Sequence, residues 1–428
     1  MDTILKLGRM GARNIVSTPS VRESIRNSLA TLVSDPGPNV LTWSDSIRSM
    51  ARGPIPVQGI WAPDPGWEAI VVHVEPDGER GMQFTIGGLS RASGISELTI
   101  KWGDGTSTIT SATNCLANDD SWNSLTHTYK LPGDYMVQIS PGMTFFRPHL
   151  MEVNGTNFSG YASWLPQGTL ANTIVDGRTI GTWSIRNMLK VVRLLQWGES
   201  RTSFQRSYSG CFNMTGPLPE WPKTSSATSV YETFRYCYGL TGRIPKWPSW
   251  VKNTGYTYQY CSGLTGSIPD WPSGIIDLAY AYQNCTGLTG SVPEWPEGPK
   301  NLNDCYEFCF NLTGEIPPWP SSATSVQYAF RNCMKLTGSV PVWTSGITSA
   351  AYAFYSCSSL TGNIPEWGSG LTNVGNTYNG CPGLNGAWEG ATEETLMPTR
   401  ITSKGSCVSG CGPNLRSLFT SAWGGTAT

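Results

Sequence analysis

Eight cysteines recur at nearly constant spacing, and thiols in such a series could form disulfides or bind a metal. They are Cys211, Cys237, Cys261, Cys285, Cys309, Cys333, Cys357 and Cys381. The predicted role is instead a buried free thiol at one packing position of each repeat, because cysteine is a small apolar core residue. By position, Cys305 is also predicted to be core. Cys407 and Cys411, in the run GSCVSGCG, are the best disulfide candidates, since C-x3-C without a nearby histidine is a weak zinc motif.

A tryptophan lies ten residues after each of the first seven cysteines, and a row of flat rings could stack on sugars. The row is Trp221, Trp247, Trp271, Trp295, Trp319, Trp343 and Trp367. The recurring Pro-x-Trp context is typical of packing positions, which predicts a core role on the convex side. Both interpretations stay open at the level of sequence.

A polar row follows the cysteines at plus four and plus six and is our candidate binding surface on the concave face of a sheet. Its members are Thr241, Arg243, Thr265, Ser267, Thr289, Ser291, Thr313, Glu315, Thr337, Ser339, Thr361 and Asn363. The plus-six position varies between repeats, as a binding surface would be expected to vary. A merely solvated polar face is the alternative.

The hydrophobic period changes inside each repeat. Between Ile347 and Cys357 the apolar anchors fall three or four residues apart, which predicts one face of a short helix. From Leu360 to Ile364 the period is two, which predicts a strand. One short helix and one short strand per 24-residue unit predict a mainly β protein with short helices, in which stacked units form an α/β solenoid with a parallel sheet.

The string A-F-x-x-C-x-x-L, at Ala329–Leu336 and Ala353–Leu360, resembles the BspA-type leucine-rich repeats of bacterial surfaces. The run LTGSIP at 264–269 also resembles the plant-type leucine-rich repeat. The resemblance covers about 200–390 and implies a curved solenoid in an adhesion or recognition protein. The tryptophans depart from the aliphatic residues that are usual in that family.

Residues 65–145 carry a second signature, W-G-D-G at 102–105, H-x-Y at 127–129 and G-x-Y-x-V at 133–137. It resembles the polycystic-kidney-disease-type (PKD) β-sandwich, and an Asp-Gly turn is typical of a hairpin. The resemblance implies a spacer or presentation module. It also implies that Asp104 and His127, which could look catalytic, are turn and packing residues. Cys115 is predicted to be a lone thiol.

The remaining segments complete the predicted domain order. Residues 1–64 are predicted to form an N-terminal anchor arm with one amphipathic helix, whose apolar stripe runs from Val21 to Leu32. That helix either docks on a neighbour or packs on the sandwich. Residues 146–203 are predicted to be degenerate capping repeats, 204–390 the regular solenoid, and 391–428 the C-terminal cap.

Composition excludes several classes. The net charge is −1 with 14% charged residues, which argues against a nucleic-acid binder. No run of 18 apolar residues occurs, so no membrane insertion is predicted. With three histidines and no H-E-x-x-H, G-x-S-x-G or phosphate loop, no catalytic, cofactor or metal residues are assigned. A carboxylate pair assembled in space stays possible.

The expected function is therefore non-enzymatic. The N-terminus reads MDTILKLGRMGARNIVSTPS and lacks the features of a secretory signal. A surface-type composition without such a signal favours a phage virion component (a fibre, decoration or receptor-binding protein), which is assembled inside a cell. Another export route or a trimmed mature form would also explain it. Expected partners are other virion proteins or copies of itself, through the arm, and a host-surface glycan or protein. A BspA-type cell-surface adhesin, extracellular rather than in a virion, is the alternative. A carbohydrate-binding or carbohydrate-active protein that uses the tryptophan row is the second alternative.

Overall fold

The computed structural model describes residues 62–75, 82–110, 125–147, 173–175, 178–180, 190–396 and 398–422. The protein is mainly β with few short helices, and the described part forms no closed barrel. The predicted arm helix and Cys115 lie outside the described residues. The chain divides into one compact unit of Met1–Arg52 and Thr156–Thr182 and a second of Gly53–Gly155 and Trp183–Thr428.

The described residues contain sixteen strands and two helices. The strands are β1 (Glu68–Val74), β2 (Gln83–Ile86), β3 (Gly88–Arg91), β4 (Thr99–Lys101), β5 (Ser107–Ile109), β6 (Leu125–Thr128), β7 (Gly133–Ile139), β8 (Met143–Arg147), β9 (Thr173–Val175), β10 (Arg178–Ile180), β11 (Val191–Gln196), β12 (Gly290–Ser291), β13 (Leu312–Glu315), β14 (Leu336–Thr337), β15 (Gly362–Asn363) and β16 (Leu384–Gly386). The helices are α1 (Glu393–Leu396) and α2 (Pro413–Ala422). In the first unit the described part is the antiparallel pair β9–β10.

A five-stranded antiparallel sheet in the second unit has the order β11-β1-β7-β4-β5. β1 lies between β11 and β7 and pairs with β7 without a register break, from Glu68 opposite Ile139 to Val74 opposite Gly133. Every residue of β1 except His73 is buried. The sequence of β1 is a nearly continuous apolar run, as expected for a strand that is covered on both faces. The antiparallel pairs β2–β6 and β3–β8 complete this module.

Strand β11 joins this sheet module to the repeats. It pairs with β1 on one side, and on the other the carbonyl of Val192 accepts a 2.9 Å hydrogen bond from the amide of Thr215. The segment that the sequence predicted as a cap thus contributes a strand shared by both parts. A single hydrophobic cluster runs from Ile70 in β1 to Phe419 in α2.

The prediction of a short helix in each repeat is wrong. In Ala350–Cys357 the segment is a pair of successive turns, closed by hydrogen bonds from Ala353 N to Ala350 O and from Cys357 N to Phe354 O, both 3.0 Å. The alternate amides, such as those of Tyr352 and Phe354, donate instead to the next repeat at 2.9 Å. Two four-residue turns place apolar residues three and four positions apart, just as a helix does. The spacing of apolar residues therefore could not distinguish the two turns from a helix.

Backbone dihedrals explain why these turns do not continue as a helix. Tyr352 has φ 59° and Ser356 has φ 58°, in the left-handed region that ends a right-handed helix. The equivalent positions, five and one residues before each cysteine, are left-handed in every described repeat, from Arg206 and Gly210 to Ser406 and Gly410. Such residues cost energy individually. In this array the left-handed residues orient every second backbone amide so that it donates to the neighbouring repeat.

The predicted strand is short but faces as expected. Leu360 and Ile364 are fully buried while Thr361 and Asn363 are exposed. Neighbouring repeats pair in parallel here, as β12–β13–β14 and β15–β16. A second column of parallel bridges runs from Asn301 through Ser325, Ser349 and Asn373 to Ser403. Each repeat therefore contacts the next through the turns and two bridge columns.

Candidate recognition surface

The cysteine column is structural in the described residues. All eight predicted members and Cys305 are buried free thiols. From Cys237 onward, each column thiol donates to the carbonyl of the aromatic residue in the preceding repeat, as Cys357 Sγ does to Phe330 O at 3.0 Å. Burial raises the pKa of Cys357 to about 12. A thiol held protonated and engaged in this way is neither a nucleophile nor a metal ligand.

Cys407 and Cys411, which were the best candidates for a disulfide, are both buried free thiols in the structure. Cys411 Sγ donates to the carbonyl of Tyr378 at 3.0 Å, as the other column members do to their own aromatic residues. Cys407 takes the position four residues earlier, which Cys305 takes in its repeat. The two residues therefore belong to a ninth repeat, displaced along the sequence by the insertion that contains α1.

The tryptophan row is core, as one of its two interpretations predicted. Apart from the partly buried Trp271, its rings are between 2% and 8% exposed. Consecutive indoles stack on one another, for example Trp221 on Trp247 with ring centroids 6.0 Å apart. The rings therefore offer no free face to a sugar, and glycan stacking on this row has no support.

The indole N–H groups face a second column, which consists of the aromatic residue three positions before each cysteine. Trp247 Nε1 donates to the hydroxyl of Tyr282 at 3.0 Å, and Trp343 Nε1 to that of Tyr378 at 3.2 Å. Where the same position is Phe330, the buried Nε1 of Trp295 has no hydrogen-bond partner. The Tyr or Phe residue three positions before each cysteine carries this signal in the sequence.

All twelve residues of the candidate binding row are exposed. The repeats hold them in register, because the amide of each row threonine bonds to the preceding repeat, as Thr289 N does to Gly266 O at 2.9 Å. The glycine between plus four and plus six is left-handed, with φ 83° at Gly290. We call these twelve residues the strand row; its side chains are brought together by the stacking of six repeats.

A second exposed row lies nine residues before the cysteines, and sequence analysis missed it. It consists of Thr228, Lys252, Ile276, Lys300, Thr324, Thr348, Thr372 and Thr402. The hydroxyl of Thr348 donates to the carbonyl of Thr324 at 3.1 Å, and that of Thr372 to Thr348 at 3.2 Å. In the sequence, the row could have been recognised from the threonines that recur every 24 residues at 324, 348 and 372. We call these residues the turn row.

Asp104 and His127 take the structural roles that the PKD-type resemblance implied. An oxygen of Asp104 accepts from Thr106 N at 3.0 Å within the W-G-D-G turn, and its other oxygen lies 2.8 Å from His127 Nε2. The His127 ring stacks on Trp102 at 4.7 Å. Both side chains are thus engaged in packing a hairpin end.

Among the residues that the structure describes, no group of three or more His, Cys, Asp or Glu side chains is arranged to hold a metal ion. No helix in the described ranges is long and apolar enough to cross a membrane.

The described fold is a repeat array whose potentially reactive residues are engaged in its core, which defines a repeat protein with polar outer rows. Residues 181–295 and 276–389 each match the family model described as Mycoplasma protein of unknown function, DUF285. This is a BspA-like repeat family, which confirms that part of the resemblance. Together the matches cover just under half of the chain. No curated protein and no solved structure matches significantly.

Proposed function

We propose that this protein is a non-enzymatic structural and recognition protein, and specifically a virion component that presents its repeats for contacts with a host surface or with the particle. The observation that carries the proposal is that each repeat places one set of residues in the core and another set on an exposed surface. Thiols, indoles and aromatic rings are engaged in packing, while the strand row is exposed and varies between repeats at its plus-six position. Loops and surfaces that vary on a regular scaffold are the common location of recognition.

The proposed architecture is a curved solenoid preceded by a PKD-like β-sandwich. Its curvature is supported by ring spacing. Trp221 and Trp247 lie 6.0 Å apart, whereas the equivalent outer rings Tyr256 and Tyr280 lie 4.4 Å apart. The wider spacing of the tryptophan rings supports a curved array in which the tryptophan side is the convex side.

The sandwich proposal is supported by the antiparallel sheet with β7 at its centre and by the Asp104–His127 contact. In this proposal the sheet module orients the repeats, because β11 pairs with β1 of that module and also bonds to the first repeat. The N-terminal arm, as the contact with other virion proteins or further copies, remains a prediction for residues outside those described.

A cell-surface adhesin is the second candidate function, and the match to a BspA-like repeat family favours it. The experiment that separates the two incubates labelled full-length protein with candidate host cells and, in parallel, with particles that lack it. Incorporation into particles supports the virion proposal. Cell binding without incorporation supports the adhesin. A protein that binds neither would contradict both.

A further inference from the structure

A chain of polar side chains crosses five consecutive repeats two residues before the cysteine. We call it the polar ladder: Arg235, Gln259, Gln283, Glu307 and Arg331. Each side chain hydrogen-bonds to the next. Arg235 donates to Gln259, Gln259 to Gln283, and Gln283 to Glu307. Arg331 Nη1 donates to Glu307 at 2.9 Å. The first four members are buried, so the ladder holds the turn segments together out of contact with water.

An additional acid interrupts this pattern at one place. Asp304, three residues before Glu307, is also buried. The amide Nε2 of Gln283 donates to Asp304 Oδ1 at 3.2 Å as well as to Glu307, so the two buried carboxyls lie within reach of the same amide nitrogen. Two ionised carboxylates held this close together in a buried site repel each other, which favours a proton on one of them.

The charges around the pair point to the same conclusion. Arg331 forms an ion pair with Glu307 at 2.9 Å, and one guanidinium balances one carboxylate. A second buried negative charge beside it would be costly. The other groups that face Asp304 are Tyr280, Tyr256 and Tyr328, none of which carries a positive charge.

We propose that Asp304 and Glu307 share one proton and form a pH-sensitive joint between the turn segments of two adjacent repeats. With the proton present, the ladder is continuous from Arg235 to Arg331. When a base in solution removes it, the two carboxylates repel each other and the ladder separates beside Gln283. Burial and the neighbouring Glu307 raise the pKa of Asp304 well above its ordinary value, in agreement with the geometry.

The sign of the effect follows from proton linkage. An aspartate whose pKa is higher in the folded protein than in the unfolded chain holds more protons when folded. Its contribution to stability is therefore greatest at acidic pH and is lost as the pH rises through the folded-state pKa. The loss is expected to be local, because repeats contact chiefly their neighbours.

The test is hydrogen exchange of full-length protein between pH 6 and 9, corrected for intrinsic exchange rates. The reporters are the amides that bond across the junction between Gln283 and Glu307: that of Tyr280, which donates to Asn303 O at 2.9 Å, and that of Asn284, which donates to Glu307 O at 2.8 Å. We expect their protection to fall at least tenfold more than that of the equivalent amides of Tyr352 and Ser356. Asp304→Asn, whose amide can donate to Glu307 without a titrating proton, should abolish the difference.

Asp277→Asn is the matched control, because Asp277 precedes the turn of the neighbouring repeat and caps the amide of Ala279 at 3.0 Å. It should leave the pH-dependent loss of protection at Tyr280 and Asn284 intact. Equal loss of protection in wild type and Asp304→Asn would overturn the proposal. If Asp304→Asn does not fold, isotope-edited infrared spectra of the wild type decide, since the proposal requires a protonated carboxyl band at neutral pH and its absence would overturn the idea.

Discussion

The indole Nε1 of Trp247 donates a 3.0 Å hydrogen bond to the hydroxyl of Tyr282 in the core of the array. The residues are 35 positions apart, and the same relationship recurs between Trp271 and Tyr306 at 3.2 Å. Each bond joins the Pro-x-Trp segment of one repeat to the turn segment that packs against it. Two buried hydrogen-bonding groups therefore satisfy each other at a place where water is excluded.

This relationship predicts that Phe330→Tyr stabilises the protein. The buried Nε1 of Trp295 has no partner, and its ring centroid lies 5.9 Å from that of Phe330. A hydroxyl placed there would supply the missing acceptor, a gain of about 1 kcal/mol in the free energy of unfolding. Chemical denaturation measures it. Tyr282→Phe is the reciprocal control and should lower the free energy of unfolding by at least as much, because it removes the acceptor of Trp247 Nε1; a change of the same sign in both variants would contradict the account.

The thiol column predicts resistance to modification. The eleven described cysteines are buried and free, so native protein should not react at them with iodoacetamide, and all should react after denaturation. Peptide mass mapping before and after unfolding measures this. A reducing agent should leave the melting temperature unchanged, since no described disulfide exists to be broken. A lower melting temperature under reduction would reveal a disulfide and contradict the structure.

His73 predicts a pH dependence in the sheet module. Its Nδ1 lies 2.6 Å from Asp134 Oδ1, and hydrogen bonds to Asp134 and then Glu75 raise its pKa from 6.5 to about 9. Because the raised pKa belongs to the folded state, this stabilisation is complete below pH 6.5 and is lost as the pH rises through 9. Titration of the His73 ring by NMR measures it. Asp134→Asn should move the midpoint back toward 6.5, and an unchanged midpoint would show that the ion pair is absent.

The junction between sheet and repeats predicts a large effect of Glu68→Gln. Arg201 Nη1 lies 2.6 Å from Glu68 Oε1, and both side chains are almost fully buried. The other oxygen of Glu68 accepts from Gly198 N at 2.7 Å. Removing the carboxylate leaves a buried guanidinium without its counter-charge, which costs about 3–5 kcal/mol.

A surface pair gives the comparison for that effect. Lys101 and Asp64 form an ion pair at 2.5 Å, but both are more than a third exposed. Lys101→Ala should cost less than about 1 kcal/mol. Denaturant unfolding followed by tryptophan fluorescence measures both variants. Similar small losses in the two would mean that the Glu68–Arg201 junction does not stabilise the fold.

Sequence reasoning located the repeat, its register and the inward and outward faces of its strand, because these follow from residue spacing alone. It placed Leu360 and Ile364 inside and Thr361 outside. It misread the turn segment as a helix, since apolar steps of three and four do not distinguish one helix from two turns. The left-handed conformation of Tyr352 is unusual for a non-glycine residue and is specified by contacts with the next repeat.

The missed and misread features share a cause: each depends on contacts between repeats. Cys407 and Cys411 were not recognised as members of the cysteine column, because the inserted segment changes the spacing that marks the ninth repeat. The turn row escaped notice because its exposure follows from the turn geometry. The polar ladder joins residues 24 positions apart, such as Gln259 and Gln283, so it becomes visible only once the repeats are stacked.

The most direct test of the recognition proposal compares two exposed rows in the same array. Thr289, Thr313 and Thr337 belong to the strand row, and Thr324, Thr348 and Thr372 belong to the turn row. All six are exposed threonines, so replacing either trio with glutamate makes a similar change in charge and volume. Binding of each labelled full-length variant to host cells and to particles lacking the protein is measured beside the wild type. The proposal predicts that the strand-row variant loses at least tenfold in affinity while the turn-row variant binds as the wild type does; equal binding by both variants would contradict it.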